Sequence, residues 1–537
     1  MCDSPPSMPA PLTASEETFV RTALSNLDGR HFDVLIIGGG ISGTPAAQHL
    51  AGAGYSVCLV EKNDFASATT SRSGRLLHCG LRYLAPSRSF WEFLQPQVFA
   101  AAFGTAKRSM EARGEFVLTT PERAHPIEIA IPIFEGAPYS GWQIDLGARL
   151  LQGFNKGKVP LEYRRVSATE GRSHPFARGL RDGGKLSAVV VFRDYQFDWP
   201  ERICIDAALD AERLGAVIRN YTAATSIERL PAGGWKLGLI DTLSPPHGAS
   251  VTGNILLNMT GTWIDQLNRQ VSPPGEPKRK IVAVKGVHLL AQLAPEYRGY
   301  GIAGMNRQGE QIFCVPWAGS DKHLIGVTET VYEGNLDDVR PEEADIAFLL
   351  EEITHFIPAL KLKRADVQFA WAGARPITYD PMRIKGRRLP FSVLQDLTND
   401  GLPGAFAITW ATIMLHRSAG REVVKAIQGR LKPSREKREI SYKARQFPDD
   451  SNSPPLLETC PHVKIADLRF AAEHEHAQSL VDLLFRRTGL GWRTAVPAPA
   501  VMRAAEAVAD ILGWDEAKVA AEAQSYLAYV QRYHLQG

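Results

Sequence analysis

Four residues suggest a chemistry by their type and spacing: Gly38, Gly40 and Gly43 within Gly-Gly-Gly-Ile-Ser-Gly, and the acid Glu61. In a G-x-G-x-x-G pattern the first glycine permits a tight turn, the second lets backbone approach a pyrophosphate, and the third lets a helix pack against a strand. An acid about 20 residues further on is placed to accept hydrogen bonds from a ribose. Particular elements must position these groups. Residues 32–37 form a short, β-branched apolar run, read as a buried parallel strand, and residues 55–60 form a second one ending on Glu61. Between them a helix runs to about Gly52, its N-terminus offering free N–H groups and a positive dipole end to phosphates. Pro45 falls in the first helical turn, where a missing N–H costs little. Ser42 and Lys62, next to the motif and the acid, join the candidate binding set.

A second stretch follows at once. Residues 64–84, DFASATTSRSGRLLHCGLRYL, crowd Thr69, Ser71, Ser73, Arg75, His78, Gly80, Arg82 and Tyr83 into a short space, which an ordinary polar loop does not do. The whole chain sets the frame for both stretches. Its 537 residues are enough for two or three domains, and 44% hydrophobic with 22% charged residues is the balance of a soluble globular protein. A net charge of +3 offers no argument for nucleic acid. Cys2, Cys58, Cys79, Cys204, Cys314 and Cys460 lack C-x-x-C spacing, which points away from a disulfide framework or zinc site and towards a reducing compartment. No apolar run reaches the roughly 18 residues of a membrane-spanning helix, and no signal peptide is evident. The expectation is a cytoplasmic protein, with peripheral association at a membrane face left open.

The segment FASATTSRSGRLLHCGLRYL resembles the corresponding one in FAD-dependent glycerol-3-phosphate dehydrogenases, a flavin-linked and membrane-associated family. The resemblance implies an α/β fold: a Rossmann-like FAD-binding domain, an antiparallel-sheet substrate domain and a C-terminal helical domain. Residues 1–30 read as a tail with a short helix over 15–27, whose Phe19, Ala23 and Leu27 share one face; residues 31–445 are assigned to the interleaved FAD and substrate domains, and 446–537 to the helical domain. The resemblance also implies flavin contacts from Thr69, Ser71, Ser73, Arg75, His78 and Gly80, and substrate contacts from Arg82 and Tyr83. Arg75 stands where the family usually has lysine, and Cys79 where it has glycine. Further along, the acidic stretch 194–198 looks like a turn before a helix at about 199–214, and 222–224, with Ala223, would lie near the adenine. Leu-Leu-Asn-Met-Thr-Gly-Thr-Trp brings Thr260, Gly261 and Trp263 to the nucleotide, and Lys285-Gly286-Val287-His288 matches a family strand. Trp-Ala-Gly-Ala-Arg-Pro carries Arg375 as the phosphate-binding arginine, an assignment the bidentate geometry of a guanidinium suits. Arg388 sits where a second arginine is expected.

The chief departure lies at residues 407–417, AITWATIMLHR. The family has Gly-Gly-Lys-Leu-Thr-Thr-Tyr-Arg opening a helix here, with the lysine reaching substrate and flavin. Arg417 keeps the register, so Trp410 and Ala411 replace the glycines and Thr412 replaces the lysine. The backbone of Ala411, Thr412 and Ile413 can still face the flavin, but the positive side chain is gone.

Residues 429–445 carry seven basic and two acidic side chains, read as a solvated linker or a basic patch for an anionic membrane. Near the C-terminus, Val501, Ala504, Ala505, Val508, Ile511 and Leu512 repeat at helical spacing and stop at Gly513. Asp515 can cap a last helix with Val519, Ala523, Tyr526, Leu527 and Val530 on one face.

The chemistry implied is oxidation of a polyol secondary alcohol, its carbon hydride passing to FAD and its hydroxyl proton to a base. His78, His288 and Arg375 are the catalytic candidates. The expected substrate is a small anionic polyol, with quinone as electron acceptor; nucleic acid and metal are not expected, and a homodimer is left open. Two alternatives stand beside this reading: a flavin oxidoreductase of the same fold with a different substrate, phosphorylated or not, or a flavin-binding scaffold without turnover. Retained Arg82, Tyr83 and Arg375 favour the first reading; Trp410 and Thr412 favour the alternatives.

Overall fold

The computed structural model describes residues 19, 21–81, 96–137, 140–154, 157–245, 248–271, 278–386, 392–410 and 412–535. Residues 30–37 (β1, Arg30–Ile37) form the strand that the apolar run predicts, and the helix Gly43–Gly52 (α1) and strand Val57–Val60 (β2) follow. β1 pairs in parallel with β2 on one side and with Gly248–Asn258 on the other. Val217–Arg219 extends the parallel sheet past β2, and Ala405–Thr409 extends it past Gly248–Asn258. The last six residues of β1, from Phe32 to Ile37, are all buried, as a strand covered on both faces requires. Gly43 permits the tight seam between α1 and the turn after β1. A Cβ there would overlap the carbonyl oxygen of Gly38.

The second sheet has ten strands among the described residues. Its pairings are antiparallel, as expected, except where Tyr300–Met305 runs parallel to Ala124–Phe134. At its centre Ile281–Gln292 (β3) pairs along most of its length with Val367–Thr378 (β4). The acidic stretch at 194–198 is not a turn: strand pairing carries Leu186–Phe197 through it, and Asp194 is buried beside Arg113 at 3.4 Å. The expected helix follows as Pro200–Arg213.

The C-terminal region is helical. Ala498–Leu512 buries Val501, Ala504, Ala505 and Val508 and ends at Gly513 with φ +67°; Asp515 then caps Glu516–His534 by accepting from the Lys518 N–H at 2.8 Å. The last helix turns Val519, Ala523, Tyr526 and Val530 inward, while Leu527 is exposed, so the apolar face is narrower than its sequence suggests. Near the other end, Leu24–Leu27 forms a short 3-10 turn within the expected helix 15–27, of which residues 15–18 and 20 lie outside the described residues. The basic segment 429–445 is not a free linker. Its Arg435 and Arg438 N–H groups donate to Gly54 and Gly52, and the Tyr442 hydroxyl bonds His49 at 2.8 Å, so it straps onto the glycine-motif helix. Among the described residues, no helix is long and apolar enough to cross a membrane.

The Gly43–Gly38 seam is testable. Gly43→Ala should cost at least the about 1–3 kcal/mol of an overpacked interior, read as a lower urea midpoint; an unchanged midpoint would mean the seam is loose.

Candidate active site

One cavity of about 1430 Å³ runs from the glycine turn to the second sheet. Sites for a single drug-sized ligand are typically about 300–1,000 Å³, so this one has room for a dinucleotide and a small second molecule. At one end Gly38 (φ +110°) carries the turn; a Cβ on it would stand 2.5 Å from the Met259 carbonyl. Gly38, Gly40 and Ser42 line the cavity, whereas Gly43 does not, consistent with its packing task. Glu61 and Lys62 also line it. Glu61 accepts from the Gly39 N–H at 2.7 Å and the Asn63 N–H at 3.0 Å. Burial raises its carboxyl pKa, against the pull of those two N–H groups. The Lys62 ammonium pairs with Asp337 and lies 4.6 Å from the centre of the Trp263 ring.

The polar loop after β2 forms the facing wall. Ala66 donates its N–H to the Gly39 carbonyl at 3.0 Å, and Thr70 Oγ1 accepts from the Ile41 N–H at 3.0 Å, so loop and glycine turn are stitched together. Thr69 lines the cavity and donates its hydroxyl to the Ala374 carbonyl at 2.6 Å; Ser73, Arg75 and His78 also line it. Three assignments need correction. Ser71 is buried off the cavity and donates its hydroxyl to the Ala68 carbonyl. Gly80 (φ +87°) also lies off the cavity, against Ser109 and Ala106 of the helix Pro96–Thr119. The Arg75 guanidinium is fully buried, paired with Glu201 at 3.0 Å and stacked on Trp492 at 4.2 Å, so its charge serves the interior. Arg82, Tyr83, Arg388 and Ala411 lie outside the described residues.

Ala223, Thr260, Gly261 and Trp263 line the cavity on the first sheet's side, with Gly261 at φ +61°. On the second sheet, β3 and β4 bring His288 and Arg375 to it. Gly286 and Gly373 face each other across this pair, and a Cβ on Gly286 would stand 3.1 Å from Arg375 Nη2, so bare backbone leaves room for the guanidinium. Arg375 donates to the Thr328 carbonyl at 3.2 Å and pairs with Glu329 at 3.4 Å. Lys285, of the same motif, points elsewhere, to Asp345 at 2.7 Å. The His288 ring stacks on Trp371 with centroids 5.4 Å apart, and its Nε2 approaches Gly74.

Trp410 stands at the end of Ala405–Thr409 (β5) with φ +52°, a conformation that glycine adopts freely and a bulky residue rarely does. Its N–H donates to the Pro376 carbonyl at 2.9 Å, and it packs with Val282, Val284 and Ile377. The following backbone differs from the expected helix start. A 3-10 turn, Ile413–Leu415, precedes the α-helix His416–Gln428 (α2), so Thr412 and Ile413 line the cavity from a turn rather than from an α-helical N-terminus. Two buried polar atoms on the wall, Thr412 Oγ1 and Trp263 Nε1, have no hydrogen-bond partner among the described residues. A polar ligand would satisfy them, and the cavity's glycines leave backbone bare, so the residues present fit a dinucleotide.

Comparison with known proteins agrees with that fit. Residues 33–410 match the family model described as FAD dependent oxidoreductase. The chain belongs to this family. FAD is the cofactor of this oxidoreductase. Residues 438–519 match the C-terminal domain of alpha-glycerophosphate oxidase. A relative named glycerol-3-phosphate dehydrogenase, from Synechocystis, is 29% identical over 424 residues, covering 75% of this chain and 71% of its own. One named aerobic glycerol-3-phosphate dehydrogenase, from Bacillus subtilis, is 27% identical over 422 residues, covering 77% and 70%. The fold is shared with glycerol-3-phosphate dehydrogenase from Bacillus halodurans, solved in complex with FAD, at a TM-score of 0.67 and 19% identity over 95% of this chain and 96% of that one.

Sequence reasoning missed several cavity residues of the oxidoreductase. Thr70 sits among four adjacent hydroxyl and small residues, and only the loop's path selects it over Ser71. Phe313 lines the wall from the strand Gln311–Pro316, where alternation alone does not say which face is the cavity. Glu329 is found only through its pairing with Arg375, which joins segments distant in sequence.

Burial, then the charges of Arg375 and Arg75, push His288 down to about 3. Its ring is therefore neutral at neutral pH. The folded protein binds fewer protons here than the unfolded chain, whose histidine titrates near 6.5, so this group's contribution to stability is lost as pH falls below 6.5 towards 3. NMR of the folded protein, with the His288 signal assigned through His288→Asn, should show no titration of this ring between about pH 5 and 8. A midpoint near 6.5 would contradict its burial.

Proposed function

We propose that this oxidoreductase oxidises the secondary alcohol of a small polyol, with glycerol 3-phosphate, the compound named for its relatives, as the first candidate and a quinone as electron acceptor. The carrying observation is a single cavity lined both by the glycine turn and by His288 and Arg375. FAD, when bound, accepts the hydride from the alcohol carbon. In this reading the glycine turn, Ser42, Thr69 and Thr70 hold the pyrophosphate, and Glu61 and Lys62 face the adenosine end. The backbone at Thr260–Gly261 and at Thr412–Ile413 borders the cofactor. Arg375 binds the substrate's anionic group, together with Arg82, Tyr83 and Arg388 of the resemblance. Neutral His288 accepts the hydroxyl proton at Nε2, the ring nitrogen near Gly74, and His78 is the second candidate on the same wall. Trp371, stacked on His288, holds the ring's orientation. A cytoplasmic enzyme that meets its quinone at the membrane face is consistent with five buried, unbridged cysteines among the described residues.

A charge-assisted hydrogen bond lost from a binding site costs about 1.5–3 kcal/mol, or roughly ten- to a hundredfold in affinity. Glu329 shares the Arg375 guanidinium, so the lower end is expected. Arg375→Ala should raise KM for a phosphorylated substrate about tenfold and far less for its unphosphorylated analogue. An equal effect on both would remove the anion-binding role and leave the oxidoreductase intact.

A second reading rests on Trp410 and Thr412. Where the resembling family has a lysine, Thr412 offers one hydroxyl without charge, and preorganised electrostatic contacts at reacting centres are commonly worth about 3–4 kcal/mol. Trp410 adds a broad aromatic surface to the wall, suited to a larger or less polar substrate. Anaerobic bleaching of the flavin absorbance by a panel of polyols and polyol phosphates tests both readings. On the second reading, glycerol 3-phosphate bleaches the flavin slowly and another hydroxylated compound bleaches it faster. Bleaching by glycerol 3-phosphate at on the order of 10 per second or more would show that the missing lysine is dispensable. No bleaching by any compound would leave a flavin-binding scaffold.

A further inference from the structure

The loop after β2 has its back against the C-terminal helices. Asp64 opens it, fully buried, and receives Arg486 Nε at 2.6 Å, Arg487 Nη1 at 2.7 Å and Nη2 at 2.8 Å, and Asn220 Nδ2 at 2.9 Å. Both arginines come from a single π-helical turn, Asp482–Arg487, a wide turn that is rare in proteins and frequent at functional sites. The same turn takes hold of the next cavity segment. Tyr221, at φ +48°, places its hydroxyl 2.9 Å from both oxygens of Asp482, and Asn220 also donates to the His476 carbonyl at 2.7 Å. Further along the loop, Arg72 lies 4.7 Å from the ring centre of Tyr533, and Arg75 stacks on Trp492. Apart from the Asn220–Asp64 bond, which ties the two segments to each other, every link joins residues 64–75 or 220–221 to the region beyond residue 474.

A buried ion network of this kind is weak evidence for stability, because well-packed apolar residues serve that purpose as well. It does dictate geometry, since the two-pronged Arg487 fork and the Arg486 Nε on one carboxylate allow little freedom. The geometry it dictates is that of the cavity wall. Phe65 and Ala66 follow Asp64 directly, Phe65 lies against Gly39, and the Ala66 N–H bonds the Gly39 carbonyl. We propose that the C-terminal helical region is a working part of the FAD site: Arg486 and Arg487, by clamping Asp64, act as positioning residues that hold the loop 64–70 against the glycine turn. The proposal rests on the reading that FAD occupies the cavity between these two segments. Release of the clamp would let the loop leave the glycine turn and would weaken FAD binding without any cofactor contact being removed.

Two measurements on the full-length protein test this. The first is FAD affinity, from titration of deflavinated protein by quenching of flavin fluorescence. Asp64→Asn keeps the side-chain shape and Arg487→Lys keeps the charge without the fork; each should weaken FAD binding about tenfold or more. The double variant should bind no worse than the weaker single one, because both remove the same contact. Arg532→Gln, which breaks a different link between the last helix and the body, to Asp338 at 2.6 Å, should bind FAD as wild type does. Wild-type affinity in folded Asp64→Asn, or an equal loss in Arg532→Gln, would overturn the proposal. The second measurement needs only the wild type and so stands if the variants misfold: hydrogen exchange with and without FAD. FAD should protect the amides of 38–43, 64–70 and 475–493 together. Protection of the first two segments alone would overturn the coupling and keep the cofactor site, whereas protection of none would remove the cofactor reading itself.

Discussion

A backbone-to-backbone approach governs this structure: α1 meets the turn after β1 so closely that no side chain fits at Gly43. Because the helix is seated there, its first N–H groups lie beside the Gly38–Gly40 turn, and Glu61 at the end of β2 can reach the Gly39 N–H. The loop after β2 then folds back on Gly39 through Ala66 and on Ile41 through Thr70. The glycine-turn end of the cavity is thus main chain, held by the Ala66–Gly39 backbone bond and by the Glu61 and Thr70 side chains. That suits a long, polar ligand, since oriented N–H groups bind oxygen atoms with little side-chain entropy to lose.

The other end is governed by charge in a buried setting. Arg375 is balanced by Glu329, and both arginine charges near His288 add to burial in keeping that ring neutral. Trp410 narrows this end while keeping the positive φ of a glycine position, so the bend in the backbone survives although the residue that makes it easy does not. A bulky side chain in that region costs of order 1–3 kcal/mol and persists when its surroundings over-determine it. Its bond to the Pro376 carbonyl and its packing on Val282, Val284 and Ile377 supply that support.

Between the two ends and the C-terminal helices lies the densest set of buried ions. Burial alone would raise the Asp64 carboxyl, but the Arg487 and Arg486 charges hold it below the usual carboxylate range. Arg202 repeats the arrangement with Glu475 at 2.5 Å and Asp206 at 2.8 Å. The Asp64–Arg486 and Arg202–Glu475 contacts join segments more than 250 residues apart in the chain, which makes the helical region a wall of the molecule rather than an appendage.

The local elements were legible in the sequence because their causes are local. The β-branched run of β1, the glycines at the start of α1, Gly513 ending one helix and Asp515 opening the next all act through neighbours a few residues away, and each stands where its spacing predicts. The alternating strands of the second sheet were legible for the same reason, but not its one parallel pairing, which depends on how distant strands meet. Tertiary structure alone decided which groups face the cavity. It chose Thr70 over Ser71, turned the Arg75 guanidinium inward to Glu201 and Trp492, set Gly80 against a helix, and turned the basic stretch 429–445 into a strap. It also brought Glu329 to Arg375, and Arg486 and Arg487 to Asp64. Residue type and spacing determine what a segment can form; which long side chain meets which partner depends on the path of the whole chain, because a guanidinium pairs with whatever carboxylate the fold delivers to it.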